Sequence, residues 1–203
     1  MIGIIFSTSK GAASFVEQYG NGRFDRIEEG QHAQIGEVIV AVTGSGKMKA
    51  TFNTERLFQQ YDLEVLLHGG DAVALVDDLE VDTLVGVTSV LEGDRVDLES
   101  PSYPRMPLDA PFDLAHEGTL VTQDHTTEDP EERSYWERIA DLRDTTGYAI
   151  AYVAAQHGAS CHIVKAITAQ VGAEGASAEK QNVYSTIATH LSEQVDAIVE
   201  EFS

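Results

Sequence analysis

Short β-branched apolar runs, each stopping at a glycine or hydroxyl turn, confine this chain to alternating strands and helices. Ile2-Gly3-Ile4-Ile5-Phe6 ends in Ser7-Thr8-Ser9-Lys10-Gly11, and Glu37-Val38-Ile39-Val40-Ala41-Val42 ends in Thr43-Gly44-Ser45-Gly46-Lys47. A third run over residues 63–67 meets His68-Gly69-Gly70-Asp71, and further strands are expected over 84–90, 119–122 and 162–168. Nearly continuous apolar runs of this kind suit strands covered on both faces. Between them, helices are expected over residues 12–19, 48–61, 128–136, 147–157 and 183–202. In the second of these, Met48, Phe52, Leu57, Phe58 and Tyr61 form the stripe expected to pack on the sheet. The whole predicts one α/β domain over residues 1–203, with helices on both faces of a central, mostly parallel or mixed, twisted sheet. Residues 92–117 carry four of the five prolines and read as a loop excursion, and residues 170–181 read as a mobile loop.

Charge narrows the setting. Asp and Glu number 34 against 13 Lys and Arg, a formal charge of -21 spread along the chain. Such a surface repels itself at low ionic strength, and a Debye length of about 3 Å at 1 M salt relieves the repulsion. A soluble protein of a cytoplasm rich in salt is therefore expected. Without a basic patch, nucleic-acid binding is excluded. No apolar run approaches the roughly 18 residues of a membrane span, and the first residues predict no secretion signal.

The small motifs exclude several chemistries. Gly44-Ser45-Gly46-Lys47 resembles part of a triphosphate loop, but Ala41 and Met48 stand where that loop needs glycine and Ser or Thr. The turn after Phe6 lacks the closely spaced glycines of a dinucleotide fold, although backbone amides in either turn could cradle an anion. The seven histidines show no metal-ligand spacing, and Cys161 alone forms no intrachain disulfide or cysteine-rich metal site. No metal and no resident cofactor are expected. His68, at a strand end before two glycines, and Asp124, just after the strand at 119–122, are the residues whose position suggests a pocket.

In order along the chain, these segments resemble the nucleoside phosphorylase and nucleosidase superfamily, nearest to the methylthioadenosine/S-adenosylhomocysteine nucleosidases. The resemblance rests on Ile2-Gly3-Ile4-Ile5, Thr43-Gly44-Ser45-Gly46-Lys47-Met48-Lys49-Ala50, Leu67-His68-Gly69-Gly70-Asp71, Thr122-Gln123-Asp124 (similar to a Ser-Gly-Asp element) and the stretch 147–168 with Lys165-Ala166-Ile167-Thr168. It implies a three-layer, nucleoside phosphorylase-like domain, a nucleoside-like ligand, phosphate as a co-substrate if the reaction is phosphorolysis, and a homodimer or larger homo-oligomer. It also implies a ligand-binding set of Ser7, Gly44, Gly46, His68, Gly69, Gly70, Thr122, Thr146, Lys165 and Gln170.

The catalytic positions depart from the family. Ala169 stands where a carboxylate protonates the leaving base, Thr145-Thr146 where a Met-Glu pair grips ribose, and Gly11 where a glutamate activates water. Asp71, Asp124 and Asp144 are the carboxylates that could take over, with Lys47 and Lys165 to hold phosphate and Tyr103 or Tyr148 to stack on a base. Three readings stay open: an enzyme with a rearranged site that cleaves the N-glycosidic bond of a purine nucleoside, a silent homologue that binds a nucleoside-like ligand or a protein partner, and a purely structural or oligomer-forming protein, which predicts a filled cavity.

Overall fold

The computed structural model describes residues 1–20, 26–94, 104–109, 114–125, 130–170 and 180–201. The elements run β1 (Ile2–Phe6), α1 (Ser9–Tyr19), β2 (His32–Ile35), β3 (Val38–Val42), α2 (Lys47–Phe58), β4 (Val65–Ala74), β5 (Leu84–Glu92), β6 (Arg105–Pro107), β7 (Glu117–Thr122), α3 (Pro130–Trp136), β8 (Leu142–Asp144), α4 (Gly147–His157), β9 (Ser160–Gln170) and α5 (Lys180–Glu201).

The strands form one mixed sheet. β1 lies between β3 and β4, parallel to both, and β2 extends that edge antiparallel. Beyond β4 the sheet closes on itself: β4 pairs with β8 and β9, β8 with β7, β7 with β5, and β5 with β9. Fully apolar β1 and β3 need cover on both faces, and they have it. One core forms around Ile5, Ile39, Leu66, Val85, Leu120, Ile150 and Ile163 under α2 and α4. The other forms around Ile4, Phe6, Phe15, Val40, Leu67, Ile187 and Leu191 under α1 and α5.

Three expectations change. Gly69 and Gly70 belong to the interior of β4 and not to a turn after it. A Cβ on Gly69 would lie 2.6 Å from Leu191 and 2.7 Å from Ile187, so the missing side chain is what lets α5 press onto the strand. Met48 and Phe52 face away from the sheet, at 86% and 63% exposure, while Leu57 of that stripe is buried and Phe58 and Tyr61 pack partly buried against the core. The three-residue β8 carries no periodicity of its own and was not expected. Of the predicted loops, residues 95–103, 110–113 and 171–179, Tyr103 among them, lie outside the described residues.

Candidate functional site

At the C-terminal ends of β1, β4, β7 and β8, where ligands bind in parallel α/β sheets, a cavity of about 300 Å³ opens. Ser7 and Thr8 reach it from the turn after β1, Asp71, Ala72 and Val73 from β4, and Arg143, Asp144, Thr145 and Thr146 from β8 and the turn into α4. Ser45, Gln123 and Tyr184 complete the wall.

Beneath this wall lies a buried polar network built by alternation along the strands. His68 and Lys165 point into the α4 side of the sheet, fully covered, and meet Asp144. The Lys165 ammonium donates to Asp144 Oδ2 at 2.7 Å and to His68 Nε2 at 2.8 Å. His68 Nδ1–H donates to the Ile5 carbonyl at 2.9 Å. Because a carbonyl only accepts and an ammonium only donates, His68 is the neutral Nδ1–H tautomer. Burial and the neighbouring Lys165 charge push its pKa below the ordinary histidine value.

Asp144 also accepts from Thr122 Oγ1 at 2.7 Å, from Thr146 Oγ1 at 3.2 Å and from the Gly147 amide at 2.8 Å. Thr122 in turn accepts from the Tyr148 amide at 2.8 Å. Asp144 and Thr122 thus satisfy the first amides of α4, whose N-cap Thr146 makes no side-chain cap bond. Burial opposes the charge on Asp144, but the neighbouring Lys165 and His68 outweigh it and hold the carboxyl well below the usual carboxylate range. Asp144 is therefore a fixed anion and not a proton donor near neutrality.

Asp71 lies on the opposite face of β4 and accepts from Tyr184 Oη at 3.1 Å. Burial, then the Asp71 charge, pushes the Tyr184 hydroxyl up to about 12. Of the expected ligand-binding residues, Ser7 and Thr146 line the cavity, while His68, Thr122 and Lys165 support it from beneath. Gly70 gives Lys165 its place, since a Cβ there would lie 3.1 Å from Nζ.

Other expected residues lie elsewhere. Gly69 faces α5, and Gln170 donates to the Leu79 carbonyl at 3.0 Å. Gly44 and Gly46 take φ of 86° and 93° in the turn before α2, but only Ser45 of that turn reaches the cavity. Asp124 is outside the cavity lining: its Oδ1 accepts from the Lys47 amide at 2.9 Å and supplies the α2 N-terminus with the cap that Gly46 lacks. That carboxylate takes the place an anion would occupy at the turn. Neither expected phosphate cation is free: Lys47 pairs with Glu92 and Asp94, and Lys165 with Asp144.

The residues that sequence reasoning missed are Thr8, Ser45, Gln123, Arg143 and Tyr184. Thr8, Ser45 and Gln123 each sit in a turn quoted after a predicted strand and so had a local signal; Arg143 and Tyr184 had none. Among the described residues, no cluster of three His, Cys, Asp or Glu is placed to hold a metal, and no helix is long and apolar enough to cross a membrane. Cys161 is a covered core residue whose thiol burial pushes up to about 12.

Known proteins with this architecture give the comparison its context. A futalosine hydrolase mutant of Helicobacter pylori strain 26695 superposes with a TM-score of 0.82 at 21% identity, over 97% of this chain and 98% of that one. A mutant of the Helicobacter pylori nucleosidase MTAN, solved with 5'-methylthioadenosine in its active site, gives 0.82 at 22% identity with the same coverage. The Campylobacter jejuni 5'-methylthioadenosine/S-adenosyl homocysteine nucleosidase gives 0.82 at 18% identity, again over 97% and 98%. No curated protein matches by sequence. The family model of the phosphorylase superfamily matches residues 1–202, and the chain belongs to that superfamily.

Proposed function

We propose that the cavity binds a purine nucleoside or related compound and that the protein cleaves its N-glycosidic bond. The observation that carries this reading is the presence, in one cavity wall, of the ionised Asp144 and of Asp71 beside the hydroxyls of Ser7, Thr8, Thr145 and Thr146. Hydroxyls match the sugar's own donors and acceptors, and the Asp71 carboxylate favours the positive charge that develops on the sugar carbon as the bond to the base stretches, while Asp144, paired with Lys165, holds the Thr122 and Thr146 hydroxyls in place. The bond from sugar carbon to base nitrogen breaks, and its electron pair leaves with the base. A water oxygen bonds to the carbon, its proton passes to Asp71, and the base takes a proton from solvent. With phosphate as co-substrate, the phosphate oxygen forms the new bond instead.

A second reading, binding without turnover, is favoured by the state of Asp144, which cannot deliver a proton, and by Ala169, which has none to give. General acid or base help is worth about 10²- to 10⁴-fold in rate, so turnover is expected to be slow. The test is a purine and pyrimidine nucleoside panel in molar KCl, with and without phosphate, followed by separation of free base. Base release supports cleavage; binding with no release supports the silent homologue; neither binding nor release overturns both.

The -21 charge supports a salt-rich cytoplasm as the working environment. A homodimer is supported by exposed Met48 and Phe52 of α2 and exposed Tyr152 of α4, two helices that pack on one another, and light scattering in molar KCl tests it.

A further inference from the structure

Gln123 is 1% exposed, and neither its Oε1 nor its Nε2 has a hydrogen-bond partner. An unmet buried amide is costly, so a cavity-lining one points to a ligand that completes it. Its stem is fixed in place: a Cβ on Gly93 would lie 2.5 Å from Gln123 Cγ, so Gly93 leaves the space that the side chain fills. Val121 pairs with Arg143 in register, and Gln123 follows two residues later, so Gln123 and Arg143 emerge on the same face of the sheet. Arg143 is half-buried, lines the same cavity, and makes no hydrogen bond or ion pair with a described residue. Glu132 is the charge that acts on it, and burial holds its pKa below the ordinary value.

This corner offers a ligand a guanidinium fork and a carboxamide N–H₂, all donors, against one acceptor, Gln123 Oε1. We propose that Gln123 and Arg143 read the base of the nucleoside and select a 6-oxopurine over a 6-aminopurine. The inference rests on the nucleoside reading above. A lactam edge is the complement of a carboxamide: the base N1–H donates to Gln123 Oε1, and the base O6 accepts from Gln123 Nε2. The Arg143 fork then meets O6 and N7, both acceptors, as arginine does with guanine. A 6-aminopurine turns N6–H donors toward the same fork, so Arg143 rejects it even where the carboxamide turns over to accept from N6–H and donate to N1. The positive fork also stabilises negative charge on the departing base, which suits a site with Ala169 in place of an acid.

The test is isothermal titration of the protein in molar KCl with inosine, adenosine and purine riboside, the last lacking any 6-substituent. Inosine is expected to bind about 10- to 100-fold more tightly than either analogue. In Gln123→Leu and in Arg143→Met, inosine is expected to lose about 10-fold or more in affinity, and purine riboside, which lacks the 6-oxo group, is expected to lose less. Equal binding of the three nucleosides by the unaltered protein overturns the inference without calling on any variant. So does an inosine preference that survives both substitutions. Binding of inorganic phosphate that is lost in Arg143→Met while inosine selectivity persists assigns Arg143 to an anion and also overturns it. Binding of none of the three nucleosides sinks the nucleoside reading itself, and the inference with it.

Discussion

Replacing Lys165 with methionine tests the buried network most sharply. The substitution keeps an unbranched stem of similar length but removes the one cation that faces Asp144 at 2.7 Å and the donor that faces His68 Nε2 at 2.8 Å. Both partners stay covered, so an uncompensated carboxylate is left in the core. Breaking a buried pair in this way costs about 3–5 kcal/mol. At about 2–4 °C per kcal/mol for a domain of this size, the melting temperature falls by about 6–20 °C.

The pH dependence gives the prediction its signature. In the natural protein the folded Asp144 pKa is depressed, so its contribution is present above the unfolded carboxylate value of about 3.9 and is lost as pH falls from there through the folded value. Without Lys165, burial acts with less opposition and raises the Asp144 pKa, so the folded variant takes up a proton that the unfolded chain does not. The deficit of Lys165→Met relative to the natural protein is therefore expected to shrink between pH 7 and pH 5. Urea unfolding in molar KCl at the two pH values measures it. A loss below about 1 kcal/mol at pH 7, or a deficit that does not shrink at pH 5, refutes the assignment of Lys165 and Asp144 as an ionised buried pair.

Four further outcomes are expected. Asp124→Ala removes the cap of α2 and lowers stability by about 1 kcal/mol in urea unfolding, while nucleoside affinity by titration stays unchanged because Asp124 lies outside the cavity lining. Gly46→Ala places a side chain at φ 93° and ψ 148°, a conformation nearly restricted to glycine, and costs of order 1–3 kcal/mol in the same assay. In an NMR titration, His125, held by Asp94 at 2.6 Å and Glu132 at 3.1 Å, keeps its proton above the ordinary histidine range, while His68 loses it below. The melting temperature rises from dilute buffer to molar KCl, because the -21 charge is screened; an unchanged value contradicts the role given to salt.

Much of the scaffold was legible because burial on two faces leaves an unmistakable mark. Ile2–Phe6 and Val38–Val42 are apolar throughout, and both are central strands. The α2 stripe misled because its members do not lie on one face: at about 100° per residue Met48 and Phe52 fall roughly 140–180° around the helix from Leu57, which is buried on one face with Ala50 and Thr54. Gly69 and Gly70 misled for a different reason. Paired glycines usually mark a turn, yet here close packing by Ile187 and Leu191 and the approach of Lys165 use the same missing side chain inside a strand.

The candidate site was only half legible. Ser7 follows the apolar run of β1 and Thr146 opens the expected helix α4, which the sequence marks; Asp71 inside β4 and Asp144 at the end of the unexpected β8 also reach the cavity. Arg143 and Tyr184 could not be found that way: one comes from a three-residue strand, the other from a helix more than a hundred residues away from Asp71. The network of His68, Lys165 and Asp144 joins residues 76 and 97 positions from one another along the chain, and only the folded sheet brings them within hydrogen-bond reach.

The most direct test of the central claim is a crystal structure obtained in molar KCl with inosine at saturating concentration. The account predicts the ribose against Ser7, Asp71 and Thr146 and the base edge against Gln123 and Arg143. Nucleoside bound elsewhere, with this cavity holding only solvent, contradicts it.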